Sequence, residues 1–283
     1  MAGAGLIAIK GRIKSVTNTK KITKAMGLVA TAKLRKSRER LVINEDYYTA
    51  INEVMADLLE NYEGHNIFTH GNKCKNRLFI VMTSETGLCG SFNGSVVSKA
   101  IEDISKNRSL SQILVIGQKG KAYFNKLKYE TVAEYVEVPD IPTTKEAAEI
   151  SRITLELFEK GEVGEVYIVF AKFFSAVKFV TTVEKLLPLD VKCDYQYKDY
   201  LAFEPNIDDM IEGIIKQYIN SKVYNCMLTS KASEHSSRMN AMDGATKNAN
   251  DLLEKLNLQY NRIRQSSITQ EISEIVGGAE AQR

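Results

Sequence analysis

The chain has 283 residues, of which 44% are apolar, 8% aromatic and 26% charged, and this composition excludes a disordered, collagen-like or disulfide-stapled mini-protein. The formal net charge of +3 conceals an asymmetry, because residues 1–40 carry eleven Lys and Arg against the one acid Glu39, a balance of +10 that leaves −7 for the remainder. Such a basic end can be a solvated helix face, or it can bind nucleic acid, anionic lipid or an acidic protein surface, and charge alone leaves these alternatives open.

The first 62 residues contain no proline, and their apolar side chains recur every three or four positions. This spacing predicts one long helix over residues 1–62 with a narrow apolar stripe. A narrow stripe favours pairing with another helix. Its members are Ile9, Ile13, Val16, Ile22, Met26, Val29, Tyr48, Ile51, Met55, Leu58 and Tyr62.

Residues 76–200 follow a different pattern, in which short apolar runs alternate with helical stretches. This alternation predicts a Rossmann-like α/β domain with a mainly parallel sheet. Buried strands are predicted over 78–83, 113–117 and 166–170. The more polar run 177–187 suits a half-exposed edge strand that ends at Pro188.

The C-terminal part, residues 206–283, is predicted to be one very long helix, because no proline interrupts Asn206 to Val276. Asp208 and Asp209 are expected to cap its start, and Gly277 with Gly278 to stop it. Its apolar stripe comprises Met239, Met242, Ala245, Ala249, Leu252, Leu256, Tyr260 and Ile263.

The two terminal helices are therefore predicted to pair as a long antiparallel coiled coil. At 1.5 Å per residue the C-terminal helix spans about 105 Å, whereas an α/β domain of this size is roughly 35 Å across. We expect a knob with a shaft, in which residues 1–62 and 206–283 form the shaft and residues 76–200 form the knob.

A search for chemistry finds no recognisable site. The glycines around Gly87 and Gly90 match neither a P-loop nor a dinucleotide fingerprint, so they predict a tight strand-to-helix turn. Cys89 in that turn is interpreted as a small buried thiol. The histidines and cysteines lack metal-ligand spacing, so we expect no metal, no cofactor and no catalytic residue. No run of about 20 apolar residues predicts a membrane span.

Several motifs resemble the gamma subunits of the F-type ATP synthases. They are TKKITKAMGLVATAKLRKS at 19–37, SETGLCGSFN at 84–93, LLPL at 186–189, and ASEHSSRMNAMDGATKNANDLL with YNRIRQSSITQEISEIVGGA within 232–279. The resemblance covers the whole chain. It implies a central rotor stalk that turns inside a ring of three alpha and three beta subunits.

By the same resemblance, the stalk touches the epsilon subunit and the membrane c-ring, and it couples ion flow to ATP synthesis and hydrolysis on the beta subunits without bond chemistry of its own. The chain lacks the cysteine-bearing insert of chloroplast members, and no transit-like extension precedes Ile7. We therefore expect a bacterial-type protein, peripheral to the cytoplasmic face of the cell membrane. Whether the coupled ion is a proton or sodium stays open.

The resemblance also implies roles for individual residues. Arg264 and Gln265 match a catch for a beta-subunit loop, and Thr269 and Glu271 match neighbouring coupling residues. Lys24, Met26 and Arg238 of the lower shaft match positions that face an acidic lever loop of the beta subunit. The positive charge of the N-terminal segment would complement the negative charge of that loop. Coil packing is the alternative explanation for Met26.

One departure from the family lies in the turn, where many members have SDRGLCG and this chain has Glu85 and Thr86 in place of the acid and the base. We therefore expect no ion pair that would use that base. Two other classes remain as alternatives: a free-standing coiled-coil scaffold or nucleic-acid binder that uses its basic helix, and an enzyme with an unrecognised α/β site.

Overall fold

The computed structural model describes residues 2–62, 64–190 and 206–280. Six α-helices and five strands occur in these ranges, together with a 3₁₀ helix at Ser105–Leu110. In chain order they are α1 (Ala2–Glu60), α2 (Ile67–His70), β1 (Arg77–Met82), α3 (Phe92–Ile104), β2 (Ser111–Ile116), α4 (Gln118–Lys126), β3 (Ala133–Tyr135), α5 (Thr144–Glu159), β4 (Glu165–Ser175), β5 (Lys178–Leu187) and α6 (Ile207–Glu280).

The chain divides into two compact units, and both terminal helices contribute to each. One unit, which we call the coil unit, comprises Met1–Val29 with Met239–Arg283. The other, the sheet unit, comprises Ala30–Arg238. Among the described residues, no helix carries an apolar stretch long enough to cross a bilayer.

In the coil unit α1 and α6 pack antiparallel. The Thr23 hydroxyl lies 2.8 Å from that of Thr246, and a Cβ added to Gly27 would stand 3.5 Å from the Cβ of Met242, so residue numbers rise on one helix as they fall on the other. Buried Met242, Ala249 and Leu256 follow one another at heptad spacing on α6. The predicted antiparallel coiled coil is confirmed.

Three predicted stripe positions are wrong. Ile22, Val29 and Leu252 are 60%, 53% and 39% exposed, and the more buried positions are the next ones along the chain, Thr23, Ala30 and Leu253. A small side chain at a contact position lets two helix backbones approach closely. At Ile22 and Val29 apolar periodicity favoured the larger neighbour and so missed the contact position by one residue, whereas Leu252 and Leu253 are the same residue type and size explains nothing there.

The sheet unit contains one five-stranded sheet in the order β3-β2-β1-β4-β5. The first four strands of that order are parallel, and β5 pairs antiparallel with β4 at the edge. This confirms the mainly parallel sheet and the predicted edge strand. β3 was not predicted, because it has only three residues and none of them is fully buried. β4 extends beyond the predicted range 166–170. Its last residues are mostly exposed, so the apolar run that marked the strand ended before the strand itself did.

Alternate residues of the central strands enter two apolar clusters, one on each face of the sheet. Leu78 and Ile80 belong to the cluster that also contains residues of α1, α5 and α6, and Phe79 and Val81 belong to the one that contains α3. Strands covered on both faces read as continuous apolar runs, which is why β1 and β2 were recognisable. Within α6, Ile215, Ile219 and Val223 supply the buried face.

The predicted stop of the C-terminal helix is wrong, since α6 continues through Gly277 and Gly278 to Glu280. Glycine in a helix interior costs about 1 kcal/mol relative to alanine, which weakens an exposed helical end without forbidding it. The proposed caps Asp208 and Asp209 have side chains outside the described residues.

Candidate functional site

The turn that follows β1 is held in shape by an asparagine of α3. The backbone N–H of Ser84 donates to Asn93 Oδ1 at 3.0 Å, and Asn93 Nδ2 donates to the Ser84 hydroxyl at 2.7 Å and to Cys89 Sγ at 3.2 Å. Gly90 has φ +58°, a left-handed conformation that glycine adopts without strain. Cys89 is 2% exposed. The predicted tight turn with a buried thiol is therefore what the structure contains.

Helix α6 binds this turn from its backbone side. The Ser237 hydroxyl donates to the carbonyl of Cys89 at 2.6 Å. The Arg238 guanidinium donates to the carbonyls of Thr86 at 3.0 Å and Gly87 at 3.3 Å, and to the Thr86 hydroxyl at 3.1 Å. Thr86, at the place of the family's base, thus serves as an acceptor for Arg238.

Glu85, the other departure from the family pattern, ties together two further segments. Its carboxylate accepts from the backbone N–H of Gln118 at 3.2 Å, where α4 begins, and from that of Val138 at 3.0 Å. An acid at a helix N-terminus is favourable for the helix dipole. Glu85 and Thr86, the two residues that differ from the family pattern, therefore both accept hydrogen bonds within the sheet unit.

Three charged side chains of α6 form a buried cluster beside the turn. Glu234 accepts from Lys231 at 3.1 Å and pairs with Arg238 at 2.9 Å, and the three residues are between 2% and 8% exposed. Buried charges are tolerated when they are paired and hydrogen-bonded. Here one carboxylate faces two cations, and the turn's carbonyls take the remaining donors of Arg238.

His235 completes the cluster in a defined tautomer. Arg238 Nη1 lies 3.3 Å from His235 Nδ1, and a guanidinium can only donate, so Nδ1 accepts and the proton of the neutral ring is on Nε2. That nitrogen has no hydrogen-bond partner among the described residues. It points toward Asp140 Oδ1, 3.9 Å away. Burial, together with nearby Lys231 and Arg238, lowers the pKa of His235.

Asp140 also joins the cluster to α1, because its carboxylate pairs with Lys33 at 2.6 Å. Burial alone would raise the pKa of Asp140, but the hydrogen bond from Lys33 and the surrounding cations lower it. The carboxylate therefore stays ionised near neutral pH. It faces an uncharged imidazole on one side and an ammonium on the other.

Because the His235 pKa is below its ordinary value of 6.5, unfolding takes up a proton as the pH falls below that value, and acid destabilises the fold through this residue. We expect His235→Gln to reduce the loss of melting temperature between pH 7 and pH 5. The measurement is thermal unfolding of both chains at several pH values. His65→Gln, which changes an exposed histidine, is the control, and an equal effect of the two substitutions would contradict the prediction.

Helix α6 also covers the carboxyl ends of the parallel strands, where folds of this topology bind ligands. In an open α/β sheet, ligands bind at the carboxyl ends of the strands where the strand order reverses, here between β1 and β4. Phe173 N–H donates to the Thr229 hydroxyl at 2.9 Å, and the Ser233 hydroxyl lies 2.9 Å from the Ala171 carbonyl. A cavity of about 10 Å³ remains between Met82 and Glu234, which is room for about one water molecule.

The predicted upper-shaft residues lie together on an exposed stretch of α6 in the coil unit. Arg264, Gln265, Thr269 and Glu271 are all exposed. The Thr269 hydroxyl donates to the Gln265 carbonyl at 3.0 Å, and Ser267 donates to Glu271 at 3.4 Å. Arg264 lies about 27 Å along the helix from Thr246, at 1.5 Å per residue. The side chains of Arg264 and Gln265 face solvent.

The three lower-shaft residues differ in accessibility. Lys24 is exposed and Met26 is half-buried in the coil unit, whereas Arg238 is buried in the sheet unit. Lys24 and Met26 are thus on the surface of α1, and the donors of Arg238 are taken by the turn and by Glu234. Within the described ranges, no three His, Cys, Asp or Glu side chains come close enough to hold a metal ion.

Comparison with known proteins identifies the family. The family model described as ATP synthase matches residues 5–282, and the ATP synthase gamma chain of Clostridium pasteurianum is 54% identical over 99% of both chains. The chain belongs to the gamma subunits of the F-type ATP synthases. The gamma chain of Clostridium kluyveri is 52% identical, again over 99% of both chains.

Solved structures agree with this assignment of the gamma subunit. One similar chain belongs to the central stalk and c-ring structure of the Tetrahymena thermophila mitochondrial ATP synthase, with a TM-score of 0.63 and 25% sequence identity. The alignment covers 79% of this gamma subunit and 99% of the Tetrahymena chain. A chain of the Euglena gracilis mitochondrial enzyme has a TM-score of 0.73 over 99% and 95% of the two chains. At 16% identity the latter shows the shared fold alone.

Sequence reasoning missed most of the buried cluster in this gamma subunit. The sequence analysis assigned no role to Lys231, Glu234 or Asp140, and His235 entered it only as a histidine without metal-ligand spacing. One signal was available, because charges at 231, 234 and 238 are spaced three and four residues apart and so share one helix face. That spacing is equally common on solvated faces, and only the fold places this one against a turn.

Proposed function

We propose that the chain is the central rotor stalk of a bacterial F-type ATP synthase. In this function it turns inside the ring of alpha and beta subunits and couples ion flow through the c-ring to ATP synthesis and hydrolysis on the beta subunits. The observation that carries the proposal is the antiparallel coil of α1 and α6 in a chain that matches a central stalk structure over 79% of its length. The chain itself supplies no catalytic group.

The coil suits this work because its outer surface differs from side to side. Three beta subunits with one sequence can adopt different conformational populations only if something binds each of them differently. An asymmetric pair of helices does so, and its rotation moves the difference around the ring. The exposed cations of residues 1–40 give one helix a charge that an acidic partner loop would complement.

We assign the contact residues as follows. Arg264 and Gln265 serve as the upper catch and Thr269 and Glu271 as its neighbours, a role that their exposure supports. Lys24 and Met26 serve as the lower contacts with the acidic loop. Arg238 acts within the chain, through the turn, because its donors are already used there. The epsilon subunit and the c-ring are the remaining partners, at the cytoplasmic face of the membrane.

The proposal is tested by mixing alpha and beta subunits from the same source with and without this chain. We expect one defined complex that contains a single copy of the chain, with sustained ATP hydrolysis that disappears when the chain is omitted. Size-exclusion mass and ATPase rate are the measurements. If the chain elutes separately and the ATPase rate is unchanged, the rotor function is wrong, and salt-dependent DNA binding by the basic helix should be measured instead.

Met26→Lys should alter the coupling between ATP hydrolysis and ion pumping. A cation added at this half-buried position beside an acidic loop would change the contact energy by about 1 kcal/mol, roughly a factor of five in an equilibrium. Met26→Leu is the control, because it keeps the volume and the coil packing. The number of ions pumped per ATP is measured in the assembled enzyme, and an equal ratio for both variants would remove Met26 from the contact surface.

A further inference from the structure

Five polar residues of α6 hydrogen-bond the helix to backbone groups in the rest of the sheet unit. We call them the polar row: Thr229, Ser233, Ser236, Ser237 and Arg238. They contact two separate segments, the β4–β5 hairpin and the turn after β1. Every partner is a main-chain carbonyl or N–H, apart from the additional Arg238 contacts with Thr86, Glu234 and His235.

The hairpin is bound by the first three members of the row. Phe173 N–H donates to the Thr229 hydroxyl at 2.9 Å, and the Ser236 hydroxyl donates to the carbonyl of Ala176 at 2.7 Å. The Ser233 hydroxyl has its proton shared between the Ala171 carbonyl at 2.9 Å and its own helix at 3.0 Å. The turn is bound by the other two members, Ser237 and Arg238.

These contacts fix the rotational position of the helix about its own axis. Adjacent helical residues point about 100° apart, so Ser236 and Ser237 hold the hairpin and the turn on different sides of α6. A helix bound on one side can roll, whereas one bound on two sides must break hydrogen bonds to do so. Hydrogen bonds weaken steeply when their angle falls, so they resist such a rotation more than apolar contacts do.

Other parts of α6 in the sheet unit are held differently. From Ile211 to Met227 its buried side chains are mainly apolar and belong to the large core cluster. Apolar burial is non-directional. The polar contacts that Lys216, Lys222 and Asn225 of this stretch make with other elements are with side chains, so they hold the helix through flexible groups and not through backbone groups. The sheet unit ends at Arg238, so the polar row is the last part of α6 that belongs to the sheet unit.

We propose that the polar row is the joint that transmits torque between α6 and the rest of the sheet unit, through the β4–β5 hairpin and the turn after β1. This inference rests on the proposed rotor function, in which the coil is driven by one set of partners and the sheet unit by another. The five residues are positioning residues. They touch no nucleotide, and they act by keeping the turn and the hairpin in fixed orientation on the helix while the helix is twisted.

The test compares two triple variants that lose the same atoms. The first is Ser233→Ala, Ser236→Ala and Ser237→Ala, which removes three hydroxyls of the row. The control is Ser37→Ala, Ser151→Ala and Ser221→Ala, which removes three buried hydroxyls of the sheet unit that have no hydrogen-bond partner in the described chain. Arg238 is left in place because its loss would leave Glu234 short of a cation.

The measurement is torsional stiffness in the complex with alpha and beta subunits. The ring is immobilised in a stalled nucleotide state, a rigid probe is attached to the sheet unit, and the variance of its angle is recorded. Because the first variant loses three directional hydrogen bonds to main-chain groups, we expect the variance to rise roughly twofold in it and to stay at the unsubstituted value in the control. Loss of stability alone would not widen the angle distribution of a folded complex.

Equal variance in the first variant and the unsubstituted chain would overturn the inference while leaving the rotor function intact. Absence of any complex with the unsubstituted chain would overturn both. If the first triple variant fails to assemble, Ser237→Ala against Ser221→Ala provides the same comparison with one hydroxyl each. A wider distribution for Ser237→Ala supports the joint, and equal widths contradict it.

Discussion

Glu234→Ala should lower the free energy of unfolding by about 3–5 kcal/mol, because removing one partner leaves buried charges uncompensated. Glu234 is the carboxylate that Lys231 and Arg238 share, at 3.1 Å and 2.9 Å. Without it Lys231 and Arg238 lose the carboxylate that they share, and the other acid of the cluster, Asp140, is already paired with Lys33 at 2.6 Å. Urea unfolding followed by tyrosine fluorescence is the measurement, since the chain has 13 Tyr and no Trp.

The matched control for this substitution is Glu39→Ala. Glu39 also accepts from a cation one turn away, Arg35, at 3.0 Å, but both side chains are exposed. Exposed pairs of this kind contribute little, so we expect a much smaller loss. A loss for Glu234→Ala no greater than for Glu39→Ala would mean that the cluster tolerates unpaired cations and is not a buried charge network.

Arg264→Ala should reduce rotor-dependent ATP turnover by about ten- to a hundredfold. If its guanidinium donates to a carboxylate of a beta-subunit loop, each such hydrogen bond is worth about 1.5–3 kcal/mol, and about 1.4 kcal/mol corresponds to a factor of ten in rate. The side chain is exposed, so the unfolding of the free chain should not change. ATPase rate of the reconstituted complex is the measurement.

Arg262→Ala is the control for this prediction, because Arg262 is an exposed arginine of the same helix that points about 160° away from Arg264 around the axis. It removes the same charge from the same region. A similar decrease in both variants would indicate a general electrostatic effect of the helix. Full turnover for Arg264→Ala would remove this residue from the proposed catch.

The parts of the fold that could be predicted are those in which one periodicity runs without interruption. The apolar stripe over 239–263, the buried strands β1 and β2, and the half-exposed strand β5 follow this rule, and the N-terminal helix was recognisable from two such stretches, 9–29 and 48–62. β3 and α4 could not be found, because a three-residue strand and a helix that begins with Gln118 and Lys119 carry almost no apolar signal.

The candidate site was predicted unevenly for a similar reason. Gly87, Cys89 and Gly90 are adjacent in sequence, so their turn was visible. The contact of that turn with Ser237 and Arg238 joins residues about 150 positions apart, and no local pattern encodes such a pairing. The family resemblance supplied a role for Arg238 toward a partner, while its hydrogen bonds lie inside the chain.

Helix α6 covers the carboxyl ends of the parallel strands, and this has a consequence for ligand binding. Folds of this topology commonly keep those strand ends for a small molecule that exchanges with solution. Here the occupant belongs to the same polypeptide, so its effective concentration does not fall when the protein is diluted. A small molecule would therefore have to compete there with a helix of the same chain, whose local concentration is set by the fold and not by the solution.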